Sequence, residues 1–206
     1  MGYLYTTPFL KKANENLDEM NKTYGTDAPS MKEGTGYNVR VIYMLSPKIG
    51  LGAGLESIEV EKVSHSFAKK EEEIYTYRSV SWETSMNGIY ATLLFNLPRT
   101  WFNLNFAAQF GSYEASYQRE GKIIEGEFEY GELAEGKGRD SGYKISLGAE
   151  FSLSQNFSLF VEAGYRNLLI TAKGDLSHIG IEDREKEEIE LDYSGTEIKV
   201  GLVGRF

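Results

Sequence analysis

The chain has 206 residues, a net charge of -9 and no cysteine, so disulfides, thiol nucleophiles and thiolate metal sites are excluded. No stretch approaches the roughly 18 apolar residues of a membrane helix, and no Lys/Arg cluster suits nucleic-acid phosphate. The 22 Gly and 13% aromatics beside only 4 Pro suit strands and turns, and the mean hydropathy of -0.39 is no objection to a membrane barrel, whose strands show lipid only every second residue.

Residues Gly2 to Thr6 form a short first strand. A helix follows, with Thr7 as N-cap, Pro8 at the first helical position, Gly25 as the stop, and an apolar stripe of Leu10, Ala13, Leu17, Met20 and Tyr24. The start lacks a basic, apolar leader, so an export signal is expected to have been removed ahead of Met1.

Period-two alternation begins at Tyr37, with Tyr37, Val39, Val41, Tyr43 and Leu45 on one face and Asn38 and Arg40 on the other. Ser46-Pro47-Lys48 turns the chain into Ile49, Leu51, Ala53 and Leu55, and parity is lost between Leu55 and Ile58, which predicts a bulge or the end of the lipid-facing part. A second hairpin runs from Ile89 to Leu97 and, after Pro98-Arg99-Thr100, from Phe102 to Phe110. A third runs from Tyr143 to Leu153 and, after Gln155-Asn156, from Phe157 to Tyr165. The last strand alternates Thr196, Ile198, Val200, Leu202, Gly204 and Phe206 with Glu197, Lys199, Gly201, Val203 and Arg205.

These elements predict an all-β fold in a single domain spanning 1–206: an eight-stranded antiparallel up-and-down transmembrane β-barrel. Its strands are of about 9 to 11 residues, with short periplasmic turns and long acidic extracellular loops. The helix lies in the first long loop and is expected to pack on the barrel rim, the alternatives being the lipid interface or a docked partner. Alternating runs around Phe128 and Ile189 predict strands continuing past the membrane, where an open edge could accept a partner strand.

The face opposite the apolar one carries Arg40, Lys144, Arg166, Lys199 and Arg205 against Glu56, Glu150, Glu162 and Glu197. Eight strands enclose just enough room for side chains, so these charges predict an internal salt-bridge network and a plugged lumen, with the acid excess displayed on the outer loops. The inward glycines either make room for those side chains or leave a crevice for a ligand.

On these residues the chain resembles the small outer-membrane β-barrel family of diderm bacteria, the OmpA-domain, OmpX-type and OmpW-type proteins. The resemblance covers nearly the whole chain. It implies that Phe206 is the C-terminal signal presented to the barrel assembly machinery, and that aromatics form two girdles. Tyr43, Phe95, Trp101, Phe102, Phe151, Phe157 and Phe206 fall near the short turns, and Tyr37, Phe110, Tyr143 and Tyr165 near the other end. It further implies an outer-membrane location, contact with lipid and lipopolysaccharide, and a monomer.

Some barrels of this class resemble lipid A deacylases or palmitoyl transferases. The only histidines here are His65, flanked by Ser64 and Ser66, and His178, beside Ser177 and Asp175, and strand neighbours point to opposite faces. Acid runs at Glu71-Glu72-Glu73 and from Glu182-Asp183 to Glu190 lack the spacing of a calcium loop, and solvated charge is the expected reading. The expectation is a non-enzymatic structural or surface-interaction protein with no cofactor and no metal, whose acidic outer loops meet an extracellular protein or ligand. The alternatives are an OmpW-like conduit for small hydrophobic molecules and a soluble barrel of lipocalin type.

Overall fold

The computed structural model describes residues 2–8, 10–71, 74–179 and 184–205. They form ten strands and one helix: β1 (Gly2–Pro8), α1 (Lys11–Tyr24), β2 (Gly34–Ser46), β3 (Ile49–Glu71), β4 (Ile74–Pro98), β5 (Phe102–Glu125), β6 (Phe128–Ser152), β7 (Phe157–Asn167), β8 (Leu169–His178), β9 (Arg184–Asp192) and β10 (Gly195–Gly204). Every pairing is antiparallel. Following neighbours from β1 through β2, β3, β4, β5, β6 and β7 leads to β10, which pairs with β1 again.

Ten strands stand where the sequence predicts eight, because the chain breaks at Leu168 and at Tyr193–Ser194. The two breaks face each other, with the Tyr193 N–H donating to the Leu168 carbonyl at 2.9 Å and the Leu168 N–H to Ser194 Oγ at 3.0 Å. Beyond them β8 continues along β6, and β9 pairs with β8.

Much of the expected long loops is strand, as the alternating runs around Phe128 and Ile189 predict. β3 to β6 have 23, 25, 24 and 25 residues, more than twice the predicted length, and are paired to their tips. β5 turns into β6 over two residues with Gly126 at φ 62, the positive first central position of a II′-type hairpin. The acidic residues alternate with apolar ones and so favour pairing over solvated loop.

The two halves of this sheet differ. In the half with the short turns the ring of pairings is closed by β1, which joins β10 over Gly2–Pro8 and β2 over Gly2–Thr6, while nearer the turns Val39–Ser46 of β2 pair only with β3 among the described residues. In the outer half β1 and β2 are absent, and β3-β4-β5-β6-β8-β9 form an open, curled sheet. Helix α1 lies in its concavity, touching β9, β4 and β5, rather than on a rim. Its stripe of Leu10, Ala13, Leu17, Met20 and Tyr24 is fully buried against Ile58, Trp82, Tyr117, Ile170 and Leu191 of the wall. This explains the parity change after Leu55. No bulge falls there: Ile58 follows Glu56 on the inner face, which turns from polar to apolar where α1 begins, and the register shift comes between Val60 and Val63.

The helix begins later than predicted. Thr7 and Pro8 end β1, paired with Thr196 and Gly195, and the N-cap is Leu10 at φ 39 with no side-chain cap. The Leu10 N–H donates instead to the Asp192 carbonyl at 2.9 Å. Gly25 is the predicted stop, at φ 61. The return segment is bound to α1 by two asparagines one heptad apart. Asn14 exchanges bonds of 3.0 and 2.8 Å with the Met31 backbone, and Asn21 exchanges bonds of 3.0 and 2.9 Å with that of Ala28. Helix and return segment together fill the place of the two missing strands.

Replacing Leu17 by Ala should cost about 2–5 kcal/mol by opening a cavity between α1 and the wall. Urea unfolding of the protein in detergent micelles measures it, and the strand signal of the folded state is expected to stay unchanged.

Candidate functional site

Inward positions on five strands converge in the closed half of the sheet. Glu56 of β3 receives Lys144 Nζ of β6 at 2.9 Å, an Arg166 terminal nitrogen of β7 at 2.5 Å and Lys199 Nζ of β10 at 3.3 Å. Glu197 of β10 is contacted by the same three cations at 3.1, 2.6 and 3.3 Å. Arg40 of β2 reaches Glu162 of β7 at 3.1 Å, and Lys199 lies 3.8 Å from the same carboxylate. Glu56, Lys144, Glu162, Arg166, Glu197 and Lys199 are all no more than 3% exposed. Such burial is tolerable only because each charge has more than one partner of opposite sign.

Aromatics roof this layer. Tyr90 Oη receives Asn38 Nδ2 at 2.6 Å, Lys144 Nζ stands 5.3 Å from the Tyr90 ring centre, and the Arg166 guanidinium stands 5.9 Å from that of Tyr113. The glycines opposite are steric requirements. A Cβ on Gly54 would lie 2.4 Å from Tyr90 Oη, and one on Gly88 would lie 2.1 Å from the Tyr113 ring.

Of the nine ionisable residues singled out from the sequence, these seven form one cluster. Glu150 and Arg205 pair with each other at the mouth beside the short turns, where Arg205 is exposed. Between layer and mouth, Thr92 Oγ1, Ser158 Oγ and both side-chain polar atoms of Gln109 are buried with no hydrogen-bond partner among the described residues.

The outward face of the same strands is apolar. Val41, Tyr43, Leu51, Leu55, Ile89, Leu93, Phe106, Phe110, Ile145, Leu147, Phe157, Ile198, Val200 and Leu202 are all exposed, and Trp101 at the short-turn end is 84% exposed. Tyr37, Tyr143 and Tyr165 edge the band toward the outer half, and Phe95 and Phe151 edge it toward the short turns. From Phe102 to Phe110 it rises about 27 Å along β5, roughly 20 Å along the membrane normal at the usual strand tilt. A continuous apolar belt of this extent is not stable in water.

An apolar belt outside and paired charges inside define a membrane barrel, and the model of the outer membrane protein beta-barrel domain matches residues 12–206. The chain belongs to that family. No curated protein matches it. The family places this barrel in the outer membrane, and with the belt facing outward the soluble lipocalin alternative falls. The expected assembly signal, Phe206, lies outside the described residues.

A second charged site, in the barrel's outer half, has no counterpart in the sequence reading. Arg119 of β5 donates Nη1 to Glu132 of β6 at 2.8 Å, binds Glu187 of β9, and stands 5.8 Å from the Trp82 ring centre. Tyr117 donates its hydroxyl to Glu187 at 3.0 Å, and burial, with the Glu187 carboxylate beside it, pushes that hydroxyl well above the ordinary phenol range. This group ties edge strand β9 back across the concavity to β5. The signal was there in the inward parity of Tyr113, Ala115, Tyr117 and Arg119, once β5 is continued past Phe110.

The histidines form no triad. His65 accepts the Asp27 N–H at Nδ1, 3.2 Å away. His178 stacks on Tyr130, while Ser177 donates to the Leu133 carbonyl and Asp175 pairs with Lys186 at 2.5 Å. Among the described residues no three His, Asp or Glu are grouped to hold a metal ion. Glu72, Glu73, Glu182 and Asp183 of the acid runs lie outside those residues, and Glu187 and Glu188 of the second run are paired with Arg119 and Lys173.

Replacing Arg166 by Met leaves two buried carboxylates short of a partner and should cost about 3–5 kcal/mol, with Glu197→Gln in the same chain restoring part of it. The urea midpoint of the folded, heat-modifiable form measures both.

Proposed function

We propose that the chain spans the outer membrane as a barrel of eight staves, with β7 and β8 one stave and β9 and β10 another, and that its lumen is closed. It works without catalysis, as a structural and surface-interaction protein whose long, acidic hairpins stand outside the cell. The observation that carries this reading is the buried layer of Glu56, Lys144, Arg166, Glu197 and Lys199 across the closed ring, with α1 seated above it. A passing ion would have to displace charges that are already paired. Lipid and lipopolysaccharide surround the apolar belt, Phe206 serves assembly, and the barrel acts as a monomer.

One observation favours the conduit as a second reading. Among the described residues no strand of the outer half joins β9 to β3, and α1 with residues 25–33 fills the gap. A small hydrophobic molecule could enter there if that unit left the wall.

The Cys-free chain makes the orientation directly testable by single cysteines. Glu127→Cys, at the β5–β6 tip, is expected to react from outside sealed cells with a membrane-impermeant maleimide, and Lys48→Cys, at a short turn, only after lysis. Labelling of both from outside would contradict the spanning arrangement.

A further inference from the structure

The wall of the outer half is interrupted along one line. β6 pairs with β7 up to the pairing of Tyr143 with Asn167, and with β8 only from that of Lys137 with Lys173 outward, so residues 138–142 of β6 carry no ladder to residues 168–172. The two stretches still touch, since a Cβ on Gly138 would lie 2.2 Å from the Thr171 carbonyl oxygen. At the same height the chain breaks twice, at Leu168 and at Tyr193–Ser194, and Gly195 follows at φ 149, a conformation that only glycine adopts freely. Beyond these breaks β8 and β9 pair with each other over nine rows, and Lys186 of β9 binds Asp175 of β8 at 2.5 Å. β8 is held to β6 over six rows, and the far edge of β9 meets no strand among the described residues. The two strands are therefore joined more firmly to each other than to the wall.

A polar clasp and an apolar contact hold this pair inward. Glu187 of β9 takes Arg119 Nε at 3.3 Å and the Tyr117 hydroxyl at 3.0 Å, both from β5, and Arg119 is fixed in turn by Glu132 of β6. β5 and β9 share no ladder, so these bonds reach across the concavity. The Arg119 and Glu187 side chains are only 10% and 16% exposed, and a pair so enclosed is little screened by salt. Ile170, Ile189 and Leu191 close on α1 from the same face.

We infer that β8 and β9 form one flap, hinged at Leu168 and at residues 193–195 and latched to β5 through Arg119 and Glu187. With the latch released the flap swings away from α1, which stays bound to its return segment through Asn14 and Asn21, and the gap between β9 and β3 widens beside the helix. β4 and β5 pair without interruption through this height and have no such hinge. The flap rests on the conduit reading for its purpose, because the widened gap is where a small hydrophobic molecule enters.

Hydrogen exchange of the refolded full chain in detergent micelles, read by mass spectrometry, tests the hinge. Amides of Leu169–His178 and Arg184–Asp192 are expected to exchange together, about tenfold or more faster than those of β7 and β10. Glu187→Gln and Arg119→Met should each speed the flap by about a further tenfold and leave β7 and β10 unchanged, and the two together should do no more than the larger single effect, because they remove one interaction. Lys186→Gln, which breaks only the exposed pair inside the flap, should leave its rate unchanged. Unchanged flap rates in the two clasp variants, equal acceleration in β7 and β10, or exchange of α1 at the rate of the flap overturns the inference. Each variant must first show heat-modifiable mobility, and Tyr117→Phe, which removes only the hydroxyl bond to Glu187, should give a smaller rise in the same segments if either clasp variant fails to fold. Exchange reads the hinge and not transport, so a barrel that opens but passes nothing counts against the conduit reading alone.

Discussion

Charge pairing among buried side chains governs this barrel. A ring of antiparallel strands this small leaves an interior filled by side chains, and its inward positions carry Glu56, Glu162 and Glu197 facing Arg40, Lys144, Arg166 and Lys199. None of these could be buried alone, so strand register, which decides whether Lys144 meets Glu56 or misses it, is fixed by the cations as firmly as by the apolar belt outside. The glycines follow from the same constraint: Gly54 and Gly88 exist because Tyr90 and Tyr113 lean over the charged layer from neighbouring strands. An up-and-down sheet with a different interior would tolerate side chains there.

The two halves of the molecule solve the closure problem differently. At the level of the charged layer the ring is completed by backbone pairing of β1 with β10 and β2. Farther out those strands are missing, and the open sheet is completed by a helix. Two asparagines bind α1 to its own return segment, and the Arg119 group draws β9 inward over it. The interior changes character at the same height, from ion pairs below Ile58 to an apolar core above, because a helix with an apolar stripe is what that space has to accommodate. The proposed function divides along the same line, with the lower half assigned to anchoring and sealing and the upper half to presenting charged hairpins.

Much of the lower half is legible in the sequence. Strict alternation over Tyr37–Leu45, Phe102–Phe110 and Thr196–Val203 separates belt from lumen, and charge type on the inward face marks the network, because the period of a strand is two and only one face meets lipid. The outer half is less legible for three physical reasons. Its strands place charged residues outward and apolar ones inward, the reverse of the belt, so Tyr113 to Ile123 looks like loop when judged by the pattern below, although the alternating runs around Phe128 and Ile189 still announce strands. The helix start is set by a tertiary bond from Leu10 to Asp192 rather than by a capping side chain, which is why Thr7 and Pro8 mislead. The pairing of Arg119 with Glu187 joins residues 68 positions apart, a relation that no local spacing encodes.

The central claim is that the paired charges close the lumen, and single-channel recording in a planar bilayer tests it most directly. The unmodified protein, inserted and heat-modifiable, is expected to give no stable conductance steps. Steady, ohmic steps from the unmodified protein, altered by charge reversal at Arg40, would contradict it.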